Sequence, residues 1–171
     1  MKTETFLRKY ARPEIIALLF AIVLIVNFLL FPLLMPSGEG VKPLDIMFAY
    51  SPAEAYEMIA AYGEEARQDY VKGLLLIDFI YPVIYSLLFG FGIYLLWSSP
   101  RLSMQPLLIM VADYLENTGV LIMLSAWPER LYGLAIATSI FTTIKWSMVA
   151  ISVILILSGL VRQVFVRNRS I

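Results

Sequence analysis

The chain of 171 residues is 60% hydrophobic and only 15% charged, and its mean hydropathy of +0.80 is typical of a membrane protein rather than of a soluble domain. Its 13 basic and 13 acidic residues balance, which argues against a nucleic-acid partner. Because it has no histidine and no cysteine, disulfides, thiolate nucleophiles and imidazole metal sites are excluded, and we expect neither a metal nor a cofactor.

Four long apolar segments reach the ~20 residues that a helix needs to cross the hydrocarbon core of a bilayer. They predict membrane-spanning helices at about residues 15–36, 73–97, 105–127 and 134–160. The first follows a short basic segment, but its apolar stretch is longer than the core of a signal peptide, so we expect it to be retained. The predicted fold is therefore all-α, with a single four-helix transmembrane domain over residues 1–171.

The distribution of lysine and arginine predicts the orientation of these spans. Eight basic residues lie before span one, between spans two and three, or after span four, whereas the opposite side has four, diluted by many acids. By the positive-inside rule, both termini are cytoplasmic and residues 37–70 lie outside. Trp97 and Trp127 fall at span ends, where interfacial aromatic residues are expected.

The outer segment 37–70 contains a predicted surface helix at about residues 52–62. Ser51 can cap this helix, Pro52 suits its first position, and Glu54 completes a capping box. Gly63 then ends or breaks it, and the following residues are expected to run without interruption into span two. The surface helix is either a tether that crosses the bundle or a lid over a site beneath it.

Polar side chains inside the predicted spans mark the candidate site, since an ionised acid there costs roughly 2.5 to 3.5 kcal/mol on insertion scales. Spans two to four each carry such side chains at the spacing of one helix face. The aligned sets are Arg67, Tyr70, Asp78, Tyr81 and Tyr85 on span two, Asp113, Glu116 and Asn117 on span three, and Thr142, Lys145 and Trp146 on span four, with Asn27 on span one. At ~1.5 Å per residue, most of them lie in the outer half or at the midplane of the membrane, where they can meet.

Lys145 is the only cation within the spans, so we expect it to pair with the acids of span three. Asp78, Asp113 and Glu116 outnumber it, and at least one of these acids is expected to be protonated unless Arg67 or Lys72 reaches it.

A protonated carboxyl in a pocket suits general acid chemistry or proton coupling, which makes Asp78, Asp113, Glu116 and Lys145 the candidate catalytic groups. The candidate ligand-binding residues are the remaining members of the sets: Asn27, Arg67, Tyr70, Tyr81, Tyr85, Asn117, Thr142 and Trp146.

Two prolines inside the predicted spans give a second indication of the site. A proline has no N–H for the carbonyl four residues earlier, so Pro82 frees the carbonyl of Asp78, and Pro32 frees that of Phe28, beside Asn27. Inside a membrane such a carbonyl is tolerated where protein, water or a ligand satisfies it. We therefore expect two unpaired carbonyls directed towards the outer half of the bundle.

The segments YSPAEAYEMIAAYGEEARQDY, LIDFIYPVIY, DYLENTG and FTTIKW resemble an uncharacterised prokaryotic family of small four-span membrane proteins. The resemblance covers most of the chain from Tyr50 to Trp146 and implies an architecture and a prokaryotic inner membrane, but no activity. In outline the chain also resembles the EXPERA domain of sterol isomerases and sigma-2-like receptors, whose four-helix bundles carry carboxylates in a membrane-embedded pocket. The chain lacks the His and following Glu of that domain, so no catalytic residue is carried over.

Three classes of function are open at this point. In the favoured class, the bundle binds or acts on a membrane lipid or other apolar small molecule, with Tyr81, Tyr85 and Trp146 as aromatic walls, and whether it is an enzyme or a binder stays undecided. The second class is a proton- or ion-coupled carrier, which would require a homo-oligomer because four helices enclose little volume. The third is a membrane assembly or structural subunit whose polar residues recruit a partner helix.

Overall fold

The computed structural model describes residues 2–34 and 42–168, and every regular element in these ranges is helical, which confirms the all-α expectation. The α-helices are α1 Lys2–Tyr10, α2 Pro13–Ile25, α3 Phe31–Leu34, α4 Pro52–Ala61, α5 Gly63–Gly73, α6 Tyr81–Trp97, α7 Pro100–Ser103, α8 Pro106–Ala126 and α9 Tyr132–Asn168. Two π-helical segments cover Val26–Leu30 and Leu74–Asp78, and a 3₁₀ turn covers Leu44–Ile46. The end of predicted span one, residues 35–36, and the start of the outer segment, residues 37–41, lie outside the described residues.

Three continuous helical units are long and apolar enough to cross a membrane: Pro13–Leu33, Pro100–Ala126 and Tyr132–Phe165. A fourth candidate is formed by Gly63–Asp78 and Tyr81–Trp97 together, which are bent by 42° at the break between them. The described residues therefore contain three candidate spans, or four if the bent pair crosses as one. Such apolar helices are compatible with a membrane protein.

The helix that begins at Gly63 runs without interruption into predicted span two, as expected, but it breaks inside that span. The chain widens into the π-helical segment Leu74–Asp78, stops at Phe79 and Ile80, and restarts as a helix at Tyr81. Pro82 explains where the break falls, because its ring lacks the N–H of the helix ladder and collides with the preceding turn.

Two side chains of α8 bond the carbonyls that this break releases. Asn117 Nδ2 donates to the carbonyl of Asp78 at 2.9 Å, and the Tyr114 hydroxyl donates to that of Phe79 at 2.8 Å. The expectation that the Asp78 carbonyl is unpaired is therefore wrong, since α8 supplies its donor. The corresponding expectation for Phe28 stays a prediction.

The surface helix α4 begins with the predicted capping box. The Ser51 hydroxyl accepts a hydrogen bond from the Glu54 N–H at 3.2 Å, and the Glu54 carboxylate accepts one from the Ser51 N–H at 2.7 Å, which lowers the pKa of Glu54. The helix breaks at Tyr62, and Gly63, at φ +74°, begins α5 in the left-handed conformation that glycine tolerates. The fully buried Tyr56 accepts a hydrogen bond from the Leu131 N–H at 2.5 Å, so α4 is packed onto the start of α9.

The long helices pack in a fixed order. α8 and α9 lie against each other, α6 lies against both, and α2 packs mainly on α6. Gly119 lets α8 approach α9 closely, because a Cβ at this position would lie 2.1 Å from the Thr138 hydroxyl oxygen. The end that carries residues 42–62 and 128–131 is called the loop end below.

The opposite end carries α1, α7 and the last turns of α9. α1 is an additional helix that the apolar pattern does not indicate, and its Leu7 packs with Ala11 against Phe91 of α6. The Arg162 guanidinium of α9 lies over the Trp97 ring at the end of α6, 5.3 Å from the ring centroid.

Candidate functional site

The buried ammonium group of Lys145 is the centre of the candidate site. It forms ion pairs with Asp113, at 3.3 Å, and with Glu116, and it donates a hydrogen bond to the backbone carbonyl of Asp45 at 3.1 Å. Lys145, Asp113 and Glu116 are 7%, 4% and 0% exposed, and these three side chains are called the Lys145 cluster below. An ammonium group has three N–H donors, so the three acceptors use all of them.

Hydroxyl groups from α6 and α9 bond the two carboxylates of the Lys145 cluster from their other side. Tyr85 donates to Asp113 Oδ2 at 2.5 Å, and Thr142 donates to Glu116 Oε1 at 2.7 Å. Each carboxylate is therefore contacted through both of its oxygens. Buried charges persist in a low-dielectric interior only when they are paired and hydrogen-bonded in this way.

Asp45 reaches the site from the loop end, and sequence reasoning did not find it. Its backbone carbonyl accepts hydrogen bonds from Lys145 Nζ and Trp146 Nε1, both at 3.1 Å. Its carboxylate accepts one from the Tyr70 hydroxyl at 2.6 Å, and the same hydroxyl accepts the Leu44 N–H at 3.0 Å. The 3₁₀ turn Leu44–Ile46 is thereby bonded to α9 through the backbone carbonyl of Asp45 and to α5 through the Asp45 carboxylate.

A pocket of about 630 Å³ adjoins the Lys145 cluster. Its apolar lining comes from α2, α3, α6 and α9 and includes Val23, Phe31, Leu88, Phe89 and Val149. Because α2 and α9 both pack on α6, the pocket lies over α6 and between α2 and α9. The turn that carries Asp45 closes it towards the loop end.

Asp78 is the unpartnered acid of this pocket. Its side chain is 4% exposed and lines the pocket, and no donor in the described part of the chain bonds its carboxylate. A buried polar group without a partner costs about 1–3 kcal/mol by mutational data, and a charged one costs more. Asp78 therefore differs from Asp113 and Glu116, which are fully engaged.

Asn27 and Tyr81 form the wall opposite the Lys145 cluster. Asn27 Nδ2 donates to the Tyr81 hydroxyl and to the carbonyl of Val23, the latter at 2.8 Å. Both side chains line the pocket, so α2 contributes a polar group to it beside the π-helical segment Val26–Leu30.

The structure brings seven of the twelve candidate residues to the pocket: Asn27, Asp78, Tyr81, Tyr85, Asp113, Lys145 and Trp146. Four others lie behind the pocket wall. Glu116, Asn117 and Tyr70 bond the side chain or backbone of a pocket residue, and Thr142 bonds Glu116.

Arg67 is the candidate that the structure does not bring to the site. Its guanidinium donates to the Ile59 carbonyl at 3.2 Å and lies over the Trp127 ring, 5.4 Å from the centroid. Lys72 likewise pairs with Asp69 on the exposed surface, at 2.8 Å. Neither cation reaches the buried acids, so Lys145 alone balances them within the described residues.

The arrangement combines an apolar volume with one charged wall, which is how sites for apolar molecules with a polar end are built. Among the described residues, no group of three or more acidic side chains could hold a metal ion. Comparison of the chain with protein-family models, curated proteins and solved structures gave no match.

Proposed function

We propose that the chain is a prokaryotic inner-membrane protein with four spans, in which the bent unit Gly63–Trp97 crosses the bilayer once and both termini are cytoplasmic. The positive-inside bias of the sequence supports this orientation. The tryptophans support the positions of the span ends, since Arg67 and Arg130 lie over the Trp127 ring at the loop end and Arg162 lies over the Trp97 ring at the other end. We also propose, on the resemblance of its segments, that it belongs to the prokaryotic family of small four-span proteins.

We further propose that this protein binds a lipid or other apolar small molecule in the pocket over α6. The observation that carries the proposal is a pocket of about 630 Å³ whose apolar lining ends on Lys145, Asp113 and the unpartnered Asp78. Its volume falls within the ~300–1,000 Å³ of typical ligand sites.

The position of the pocket supports entry from the bilayer. It lies between α2 and α9, and side chains on the neighbouring part of the first span are strongly exposed, with Phe28 at 79% and Leu33 at 70%. Exposed apolar side chains at the edge of a pocket favour exchange with lipid rather than with water. The aromatic rings of Tyr81, Tyr85 and Trp146 then contact the body of the ligand, and the acids contact its polar end.

Tryptophan fluorescence tests this proposal, because Trp146 lines the pocket whereas Trp97 and Trp127 do not. The double variant Trp97→Phe/Trp127→Phe leaves Trp146 as the single reporter in a detergent micelle or nanodisc. We expect brominated dodecanol, a neutral amphiphile, to quench its emission with a saturable dose dependence.

The matched control keeps Trp127 as the single tryptophan through Trp97→Phe/Trp146→Phe, and it should show only weak, non-saturating quenching. Val149→Phe, which fills part of the pocket, should shift the Trp146 titration to higher probe concentration. Equal and linear quenching of the two reporters would contradict the proposal and would favour a membrane assembly subunit.

A further inference from the structure

The hydrogen-bond donors of Lys145 and Trp146 in the pocket wall are already used by acceptors within the protein. The ammonium group of Lys145 contacts Asp113, Glu116 and the carbonyl of Asp45, which are three acceptors for three N–H groups. The single N–H of Trp146 also donates to the Asp45 carbonyl, at 3.1 Å. Neither side chain has a donor left for a ligand.

The hydrogen-bond donors that α2 and α6 contribute to the pocket are also used within the protein, with one exception. Both amide hydrogens of Asn27 are used, on the carbonyl of Val23 and on the Tyr81 hydroxyl. The Tyr85 hydroxyl donates to Asp113 at 2.5 Å. Apart from the proton of a protonated carboxyl, which an amine ligand would take up, only the hydroxyl hydrogen of Tyr81 has no acceptor among the pocket side chains that the structure describes.

The acceptors of the pocket show the opposite pattern. The carboxylate of Asp78 has no donor in the described chain, and its Oδ2 is fully enclosed. Asp45 uses one carboxylate oxygen for Tyr70, and no donor within residues 2–34 and 42–168 bonds its other oxygen or the amide oxygen of Asn27. The pocket therefore offers acceptors and requires a ligand that donates.

The charges of the site point in the same direction. Lys145 is the one cation at the described pocket, and its ion pairs go to Asp113 and Glu116. Asp45 and Asp78 are left facing the pocket with no cation of the protein. An anionic head group would be repelled by these two carboxylates, whereas a cationic head group would be attracted by both.

We propose that the pocket selects amphiphiles whose polar end is a protonated amine with at least one N–H, and that Asp78 is the carboxylate that receives it. The inference rests on the proposed function and adds the chemical class of the head group. A free long-chain amine and a membrane lipid with an amine head share this chemistry. A charge-assisted N–H···O contact is also roughly twice as strong as a neutral hydrogen bond, which favours an amine over an alcohol.

Four competitors with the same twelve-carbon chain test the proposal: dodecylamine, dodecyltrimethylammonium, dodecanol and dodecanoate. Each displaces brominated dodecanol from the single-tryptophan protein at neutral pH, and recovery of Trp146 emission gives its affinity. We expect dodecylamine to compete at least about tenfold more strongly than dodecanol or the trimethylated cation, with dodecanoate weakest. Equal competition by the two cations would overturn the proposal, because charge alone would then select the ligand.

Asp78→Asn in the same background tests the residue that is assigned. The ratio of dodecylamine affinity to dodecanol affinity should fall at least about fivefold, because only the weaker attraction of Asp45 is left, whatever the absolute affinities become. Asp69→Asn is the matched control, since this acid is exposed on the surface and pairs with Lys72. Persistence of the amine preference in Asp78→Asn would overturn the assignment.

Nanodisc composition distinguishes the two sources of the amine. If a membrane lipid is the ligand, phosphatidylethanolamine should weaken dodecylamine binding at least about tenfold relative to phosphatidylcholine. If the ligand is a free amine, the two lipids should give equal affinities. Saturable probe binding without any preference among the four heads overturns this inference alone, whereas failure of the probe to bind overturns the proposed function itself.

Discussion

Two polar groups join α8 and α9, and they are built differently. The charged Lys145 cluster lies at the middle of α8, beside the pocket. A neutral pair lies at the start of α8, where Ser152 donates to the side-chain carbonyl of Gln105, the residue before Pro106, at 2.5 Å and the Gln105 amide donates to the Met148 carbonyl at 3.0 Å.

The neutral pair shows what is sufficient to join these helices. It satisfies its own hydrogen bonds without a charge, and neither side chain lines the described pocket. The Lys145 cluster also joins the two helices, but it buries three ionisable groups. Buried ion pairs often contribute no more stability than apolar residues of similar size. The surplus charge, with Asp78 unpaired beside it, therefore supports a role in ligand binding.

Removal of the lysine should have the largest effect on stability. In Lys145→Met, Asp113 and Glu116 lose their cation while they stay buried, so we expect a loss of about 3–5 kcal/mol in the free energy of unfolding. Thermal or denaturant unfolding of the purified protein in one detergent measures this loss.

The triple variant Lys145→Met/Asp113→Asn/Glu116→Gln is its control. It removes the charges of Asp113 and Glu116 together with that of Lys145, so most of the lost stability should return. A Lys145→Met protein as stable as the parent would mean that the cluster is not held by the ammonium group, and the contrast with the neutral pair would then disappear.

Disruption of the neutral pair should have a smaller effect. Ser152→Ala leaves the side-chain carbonyl of Gln105 without its donor, and hydrogen bonds between membrane helices are worth about 0.6–1.7 kcal/mol. Ser158→Ala on the same helix is the matched control, because that exposed hydroxyl bonds only backbone carbonyls of its own helix, and its loss should be near zero. A Ser152→Ala loss equal to that of Lys145→Met would remove the distinction between the charged cluster and the neutral pair.

The parts of the molecule that follow regular helices could be predicted from the sequence. Helical spacing places Asp113 and Glu116 on one face of α8, and Lys145 extends from α9 to that face. The capping box of α4 is a local pattern of Ser51 and Glu54, so it too could be predicted without any tertiary information.

Arg67 and Asp45 mark where this reasoning failed. Arg67 was aligned with Asp78 on the assumption of 3.6 residues per turn, but the π-helical segment Leu74–Asp78 and the break after it change the phase of the face. Asp45 lies in a three-residue 3₁₀ turn without periodicity, and its partner Lys145 is 100 residues away in the sequence. Such contacts depend on how the loop crosses the packed helices, which no local pattern encodes.

Neutralisation of Asp78 should cause no loss of stability and should have the most specific effect on binding. No described group bonds this carboxylate, so Asp78→Asn breaks no contact and removes an unpartnered buried acid, and we expect the free energy of unfolding to be unchanged or to rise. Asp113→Asn is the matched control, because it weakens an ion pair and the hydrogen bond from Tyr85, and it should lose about 1–3 kcal/mol. Both variants are measured in the unfolding assay used for Lys145→Met. Equal losses would show that Asp78 has a structural partner, whereas a stable Asp78→Asn that has lost its amine preference would show an acid retained for a ligand, as expected where sites are not optimised for stability.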